Sequence, residues 1–331
     1  MDQLKELCNS LHLGDWVTKP VPVSGGLLHT MYAVETTKGK YAVKVLNPSI
    51  MKRPDALDNY IRSERVARSV SKNVPALPAK TFGGDAIQKA GDQWFLVFDW
   101  VEGRRLPADE IHADHCWMMG TILADIHLTD FQELGIEEDV TEVRPSIEWR
   151  TYLGKCQDVN EEWVRVFHEN IDDLYEWDAR SCEAEKRLGA DSVMSHRDLD
   201  QKNVLWVEGN PVLIDWESAG FVHPAHDLVE TALYWSGYDE ARFKAFISGY
   251  TSKGRVLEAD WEAVLANGFS GKLDWLEYNL KRSLWMECSD GEEQELGTAQ
   301  VIETIRELSE YGERVPHIVK WLQDLSHAGE L

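Results

Sequence analysis

The stretch SHRDLDQKNVLWVEGNPVLIDWE, from Ser195 to Glu217, places two opposed demands on the fold. Val204 to Ile214 reads as two apolar strands around a Glu-Gly-Asn-Pro turn, a hairpin that has to be buried. Four carboxylates (Asp198, Asp200, Asp215 and Glu217) and the amide of Asn203 bracket that hairpin. Charge at the ends of a buried element is costly unless a cation or hydrogen-bond donors meet it. Whatever this chain folds into must therefore bury the hairpin and neutralise its ends.

A hairpin that folds back on itself brings Asn203 and Asp215 together. An amide oxygen beside a carboxylate makes a hard oxygen site of the kind Mg²⁺ prefers, completed by phosphate oxygens and water. Asp198, five residues before Asn203, can orient an attacking hydroxyl and accept its proton. The competing reading is ordinary: Asp and Asn also cap turns at strand ends.

The rest of the chain frames this segment. Its 331 residues are enough for two lobes, each with its own core. The first hundred residues are strand-rich: Pro22 to Thr37 and Gly39 to Leu46 pair across Thr-Lys-Gly-Lys, and Trp94 to Phe98 is a third apolar run. Between them Pro54 to Asn73 predicts a helix with Leu57, Tyr60, Ile61, Ala67 and Val70 on one face. Gly103 and Pro107 then punctuate a change to helical periodicity. The expectation is a small β-rich lobe over 1–100 and a larger α-rich lobe over 101–331, with helices near 113–127, 225–236, 239–250, 258–268, 271–287, 295–311 and 314–327.

Lys44 stands in YAVKVL, sharing a strand face with Ala42 and Leu46. It sits either at a solvated edge or against an anion. Glu64 falls on or beside the apolar stripe of the helix, where a buried carboxylate needs a partner. Lys44 is the economical one; a carboxylate snorkelling at the stripe edge is the plain alternative.

Together these pieces resemble a known family. HRDLDQKN (His196 to Asn203) looks like the catalytic loop of the protein-kinase-like phosphotransferases, and IDW (Ile214 to Trp216) like their metal-binding strand end. Lys44 and Glu64 match the strand lysine and helix glutamate that position nucleotide phosphates. Departures select a branch. Protein kinases carry Lys two places after the catalytic Asp, where this chain has Asp200. Their Asp-Phe-Gly becomes Asp215-Trp216-Glu217, and HPAHDLVE (His223 to Glu230) arrives too soon for a peptide-docking loop. The chain is similar to the aminoglycoside phosphotransferase and choline kinase superfamily. That resemblance implies an α+β, bilobal, protein-kinase-like fold with a small β-rich N-lobe and a large, mostly α-helical C-lobe. It implies a phosphotransferase acting on an alcohol group, with ATP or GTP as co-substrate and Mg²⁺ as cofactor. In this likeness Asp227 braces the catalytic loop.

Further candidates follow from the same likeness. Ser24, Gly25 and Gly26 could cradle phosphates through backbone N–H groups, although a plain hairpin turn reads equally well. The strap Asp99, Trp100 and Val101 would offer backbone groups to the nucleotide base. Asp200, Trp216, Glu217, Trp235, Asp274, Glu277 and Tyr278 are candidate substrate contacts; packing is the plainer reading of the two tryptophans, and a solvated helix face that of the last three. His223 and His226 lack a third ligand for zinc.

Charge narrows the partners. Residues 1–100 hold 13 Lys+Arg against 10 Asp+Glu, and the remaining 231 hold 21 against 48. Such acidity disfavours nucleic acid, which requires a basic surface. It favours a small cationic substrate, and the family resemblance implies that this is a hydroxyl-bearing one: first an aminoglycoside-type antibiotic, and otherwise choline, ethanolamine, homoserine or a sugar. A nucleotide-binding protein without catalysis is the reading from another class. No run of about 18 apolar residues predicts a membrane span, no protein partner is evident, and five scattered cysteines suit reduced thiols in a cytoplasm.

Overall fold

The computed structural model describes residues 1–23, 28–136, 144–156, 162–254, 258–288 and 290–328. It forms two compact units: residues 1–111, 125–137 and 194–220 make the first, and residues 112–124, 138–193 and 221–331 the second. The mixed α/β class matches the expectation, with a β-rich first unit and a helical remainder.

In the first unit, β1 (Val21–Val23), β2 (Thr30–Thr36), β3 (Gly39–Val45), β4 (Ile87–Ala90) and β5 (Gln93–Asp99) build an antiparallel sheet in the order β1-β2-β3-β5-β4. Alternation along the strands sorts side chains to its two faces. Val34, Val43, Phe95 and Val97 pack with Leu4 and Leu7 of helix α1 (Asp2–Ser10). Leu46, Leu96 and Phe98 pack with Tyr60 of helix α2 (Ala56–Val70). Ile61, expected on the buried face of α2, is exposed; Ala56, Ser63, Glu64 and Val66 are buried in its place.

The hairpin is β7 (Val204–Val207) and β8 (Asn210–Leu213). Glu208 and Gly209 both have positive φ, the two-residue turn whose twist matches the strands it joins. One edge of the hairpin is occupied by the segment Pro75–Leu77 and the other by Arg104. Leu213 exchanges backbone hydrogen bonds with Pro75 and Leu77, each 2.8 Å, and Trp206 exchanges them with Arg104 at 2.8 and 3.1 Å. That pairing explains why 194–220 belongs to the first compact unit, whereas a division at residue 100 had assigned it to the helical part.

Most of the second unit is helical. It takes in most of α3 (Ala113–His127), then α4 (Trp149–Lys155), α5 (Glu162–Glu169) and α6 (Ile171–Leu188); the short strands β6 (Val193–Ser195) and β9 (Gly220–Val222) flank the hairpin region. After them come α7 (Pro224–Ser236), α8 (Glu240–Thr251), α9 (Trp261–Asn267), α10 (Ser270–Ser283) and α11 (Gly291–Ala328). The two helices expected over 295–327 are one, because α11 runs through Pro316. Helices α3 and α8 cross at glycines: a Cβ on Gly120 would lie 2.0 Å from the Phe246 carbonyl, and one on Gly249 2.1 Å from that of Trp117. Among the described residues no helix is long and apolar enough to cross a membrane.

Candidate active site

The register of the hairpin sets the geometry. Val204 pairs with Leu213, and the Ile214 N–H donates to the Asn203 carbonyl at 2.9 Å, so Asn203 and Asp215 stand at adjoining positions where the strands end. The Asn203 amide nitrogen donates to the Asp198 carbonyl at 2.8 Å and to its Oδ2 at 2.9 Å. That fixes the side-chain flip: nitrogen faces Asp198, and the Asn203 Oδ1 is left as an acceptor. Asp200 caps the short turn Gln201–Asn203 by accepting the Lys202 N–H. Its carboxylate therefore has a structural duty.

Two residues here adopt left-handed backbone: Arg197 with φ +62° and Asp215 with φ +63°. Both positions lie in the segments that carry the carboxylates, where such strain tends to collect. His196 ties these segments together. Its Nδ1 accepts from the Asp198 N–H at 3.3 Å, which leaves Nε2 to donate to the Ile214 carbonyl at 3.0 Å, and its ring packs on Trp216. The sequence gives no hint of this fastening beyond the motif itself.

Lys44 reaches the same place from β3. Its ammonium is 2.6 Å from Asp215 Oδ1 and 2.9 Å from Glu217 Oε2, and the residue is only 6% exposed. Burial opposes its charge, but Glu217 and Asp215 outweigh that, so its pKa stands above the lysine norm. Asp215 is held below the carboxylate range: burial pushes it up, and Lys44 more than reverses the effect. Glu217 moves the other way. Burial raises it, Lys44 offsets part, and the like charges of Asp215 and Asp198 add to the rise.

The expected contact between Lys44 and Glu64 is not the one formed. Glu64 Oε2 accepts the Ala79 N–H at 2.7 Å, and Arg68, one turn along α2, donates to the Ala79 carbonyl. A buried carboxylate has here found a backbone donor, and Lys44 acts on it only through space. Burial, the largest effect, pushes Glu64 up to about 7, against the Ala79 hydrogen bond and Lys44.

Sequence reading missed His29, which links this network to Asn47 and Tyr60. His29 Nδ1 accepts the Asn47 N–H at 2.9 Å, and its Nε2 lies 2.6 Å from the Tyr60 hydroxyl and 3.4 Å from Glu217 Oε2. Burial, seconded by Lys44, pushes His29 down to about 3, so it is a neutral brace. A pocket of about 330 Å³ opens beside it, lined by Arg53, Asn59, Tyr60, Glu217 and Ser218 among others.

Several expectations are revised. Trp216 and Trp235 are 2% and 0% exposed, which leaves no ring face for a substrate; the Trp216 indole donates to the Leu213 carbonyl at 3.3 Å. In the second unit, both Glu277 oxygens are engaged, by the Tyr152 hydroxyl at 2.6 Å and by Lys281 at 3.1 Å. Tyr278 lies under Arg282. Asp274 keeps a 54% exposed side chain, 3.5 Å from Arg144. Asp227 is buried near the start of α7, within the second unit. In the strap, the Trp100 N–H already donates to the Lys40 carbonyl at 3.1 Å, and Asp99 accepts from Lys80. Ser24, Gly25 and Gly26 lie outside the described residues.

The donor set fits a divalent ion. The Asn203 Oδ1 and the Asp215 oxygen that Lys44 leaves free are hard donors at neighbouring positions. Two protein ligands plus phosphate and water oxygens are the usual complement for Mg²⁺. Among the described residues no group of three or more His, Cys, Asp or Glu could hold a metal alone. Lys44 and Lys202 face Asp198, Asp200, Asp215 and Glu217, so the centre carries an excess of negative charge that a cation would balance.

The family model described as "Phosphotransferase enzyme family" (APH) matches residues 19–265. No curated protein sequence is significantly similar to the chain. Among solved structures, a spectinomycin phosphotransferase in complex with ADP and spectinomycin superposes with a TM-score of 0.71 at 13% identity, covering 94% of this chain and 98% of that one. A Plasmodium vivax ethanolamine kinase superposes at 0.57, with 15% identity and coverage of 88% and 83%. A Cryptosporidium parvum choline kinase does so at 0.56, with 13% identity and coverage of 95% and 91%. At such identities these likenesses establish the shared fold.

Proposed function

The chain belongs to the phosphotransferase enzyme family, and from that premise we propose that it is a small-molecule kinase. It transfers the γ-phosphoryl group of ATP or GTP to a hydroxyl of a small, cationic acceptor. The observation that carries this reading is the meeting of Lys44 with Asp215 at 2.6 Å, beside an Asn203 that also holds Asp198.

The roles follow from the geometry. Lys44, delivered by a rigid central strand, grips phosphate oxygens. Asn203 and Asp215 would hold Mg²⁺, whose charge neutralises the phosphates when bound. Asp198, oriented by Asn203, takes the acceptor proton and aims the oxygen at phosphorus; positioning and charge supply most of the catalysis in such transfers. Glu64 holds the Ala79 segment through the Ala79 N–H. The Val101 backbone makes no hydrogen bond to another described residue, which suits a group that would meet a base.

An aminoglycoside-type antibiotic is the first acceptor, supported by the acidity of residues 101–331 and by the half-exposed Asp274. Choline and ethanolamine kinases share the fold, so amino alcohols are the second reading. The test is a melting screen of aminoglycosides, choline, ethanolamine, homoserine and sugars with Mg²⁺ and a non-hydrolysable nucleotide, since ligands that bind the native state raise its melting point. Hits are then assayed for phosphorylated product. Asp198→Ala is expected to abolish product while nucleotide still binds; an Asp198→Ala protein that works at the wild-type rate overturns the assignment. Nucleotide binding without transfer to any acceptor or water selects the non-catalytic reading.

A further inference from the structure

Lys202 has no role in the site as described so far, yet its ammonium is 3.1 Å from Asp198 Oδ1 and 3.4 Å from Asp200 Oδ2. The short turn Gln201–Asn203 makes this possible by sending consecutive side chains to opposite ends of one carboxylate. Asn203 is buried and holds Oδ2; Lys202 keeps a half-exposed side chain and holds Oδ1. A lysine on the proton-accepting oxygen is counterproductive if it stays, because it occupies the place of the acceptor hydroxyl. Asp200 already holds the same ammonium at 3.4 Å and would keep it when the contact with Asp198 opens. The Arg197 guanidinium lies against Gly220.

We propose that Lys202 is a catalytic cation of the transfer, its ammonium passing from the Asp198–Asp200 pair to a non-bridging oxygen of the γ-phosphoryl group. The proposal rests on the kinase reading above. During the step the acceptor O–H gives its proton to Asp198, and a new O–P bond forms. The bond to the β-phosphate oxygen breaks, with its electron pair going to that oxygen. Lys202 then faces charge on the equatorial oxygens, while Asp200 keeps the flexible side chain close. A compact ammonium on a four-carbon stem suits such a short excursion. The bland alternative is an exposed i,i+4 ion pair, worth only about 0.3–0.5 kcal/mol and nothing to catalysis.

The test measures Mg²⁺-dependent release of radiolabelled γ-phosphate from ATP and from GTP, with water as acceptor. It compares wild type, Lys202→Met, Lys202→Arg, Asp200→Asn and Asp198→Ala, with a melting curve for each. Losing a charge-stabilising group of this kind lowers kcat by about 10²–10³-fold, and Lys202→Met is expected to do so with nucleotide KM held within about threefold. Its melting point should stay near wild type, and Lys202→Arg should restore most of the loss. Lys202→Met with kcat within about threefold of wild type overturns the proposal, as does equal activity of the Arg and Met variants. Wild-type release that Asp198→Ala silences and Lys202→Met spares removes this inference alone. Release that Asp198→Ala leaves unchanged, or a wild type with neither release nor a nucleotide-induced melting shift, removes the kinase reading and the inference together.

Discussion

Replacing Lys44 by Met removes one cation and strands two carboxylates. Lys44 is 6% exposed, and its partners Asp215 and Glu217 lie at 2.6 and 2.9 Å. Breaking a buried pair by removing one member costs about 3–5 kcal/mol, because the remaining charge stays desolvated. The Asp215 side chain is 36% exposed and that of Glu217 21%, so water recovers part of this. A discounted loss of about 2–4 kcal/mol is the expectation. Hydrogen exchange by mass spectrometry in EDTA, read on peptides covering 39–46 and 204–217, reports this locally without assuming that both units unfold together. The loss should depend on pH. In wild type Asp215 sits below its ordinary value, so its contribution is present above about pH 4 and is lost only in stronger acid. In the Met variant burial and mutual repulsion raise both carboxylates, so the penalty is full at pH 8 and shrinks as they protonate towards pH 5. The triple variant Lys44→Met, Asp215→Asn, Glu217→Gln should regain more than half of the loss. A single variant within about 0.5 kcal/mol of wild type at pH 8, or a triple variant no better than the single, refutes the reasoning.

Glu64 gives a second pH signature of opposite sense. Its folded pKa of about 7 exceeds the unfolded value of 4.5, so protonated Glu64 stabilises the fold below pH 4.5 and that contribution fades as pH rises through 7. It amounts to about 3 kcal/mol, and Glu64→Gln should flatten the fall in stability between pH 5 and 8 measured by urea unfolding. Gly249→Ala drives a methyl to 2.1 Å from the Trp117 carbonyl and should destabilise the second unit by about 2 kcal/mol or more, seen as a lower melting point. Arg144→Met leaves the 1% exposed Asp178 without its cation at 2.7 Å and should cost about 3 kcal/mol, while Asp178→Asn added to it recovers part.

The strands and the long helices were legible because their side chains follow a single period. Thr30–Thr36 and Gly39–Val45 alternate around Val34 and Val43, Gln93–Asp99 contains a continuous apolar run of strand length, and α7, α8 and α10 repeat apolar residues each turn. The hairpin was legible from its turn, and its closure places Asn203 beside Ile214 as the spacing required. Partner choice was not legible. Glu64 satisfied itself on the Ala79 backbone, a donor that no side-chain pattern announces. Backbone pairing of Trp206 and Leu213 with Arg104, Pro75 and Leu77 is likewise silent in sequence, and it moved the boundary of the first unit. Ile61 fell off the helix stripe since α2 buries the neighbouring Ser63–Glu64 face. Burial of Trp216 and Trp235 could not be told from a stacking role, because a large aromatic serves both. The ion pair of Lys202 with Asp198 follows from a spacing of four residues.

Binding of Mn²⁺ followed by electron paramagnetic resonance, with a non-hydrolysable nucleotide present, tests the centre most directly. Wild type should bind the ion in a nucleotide-dependent manner, and Asp215→Asn and Asn203→Ala should each weaken that binding by at least about tenfold. Equal Mn²⁺ affinity in all three proteins would contradict the account.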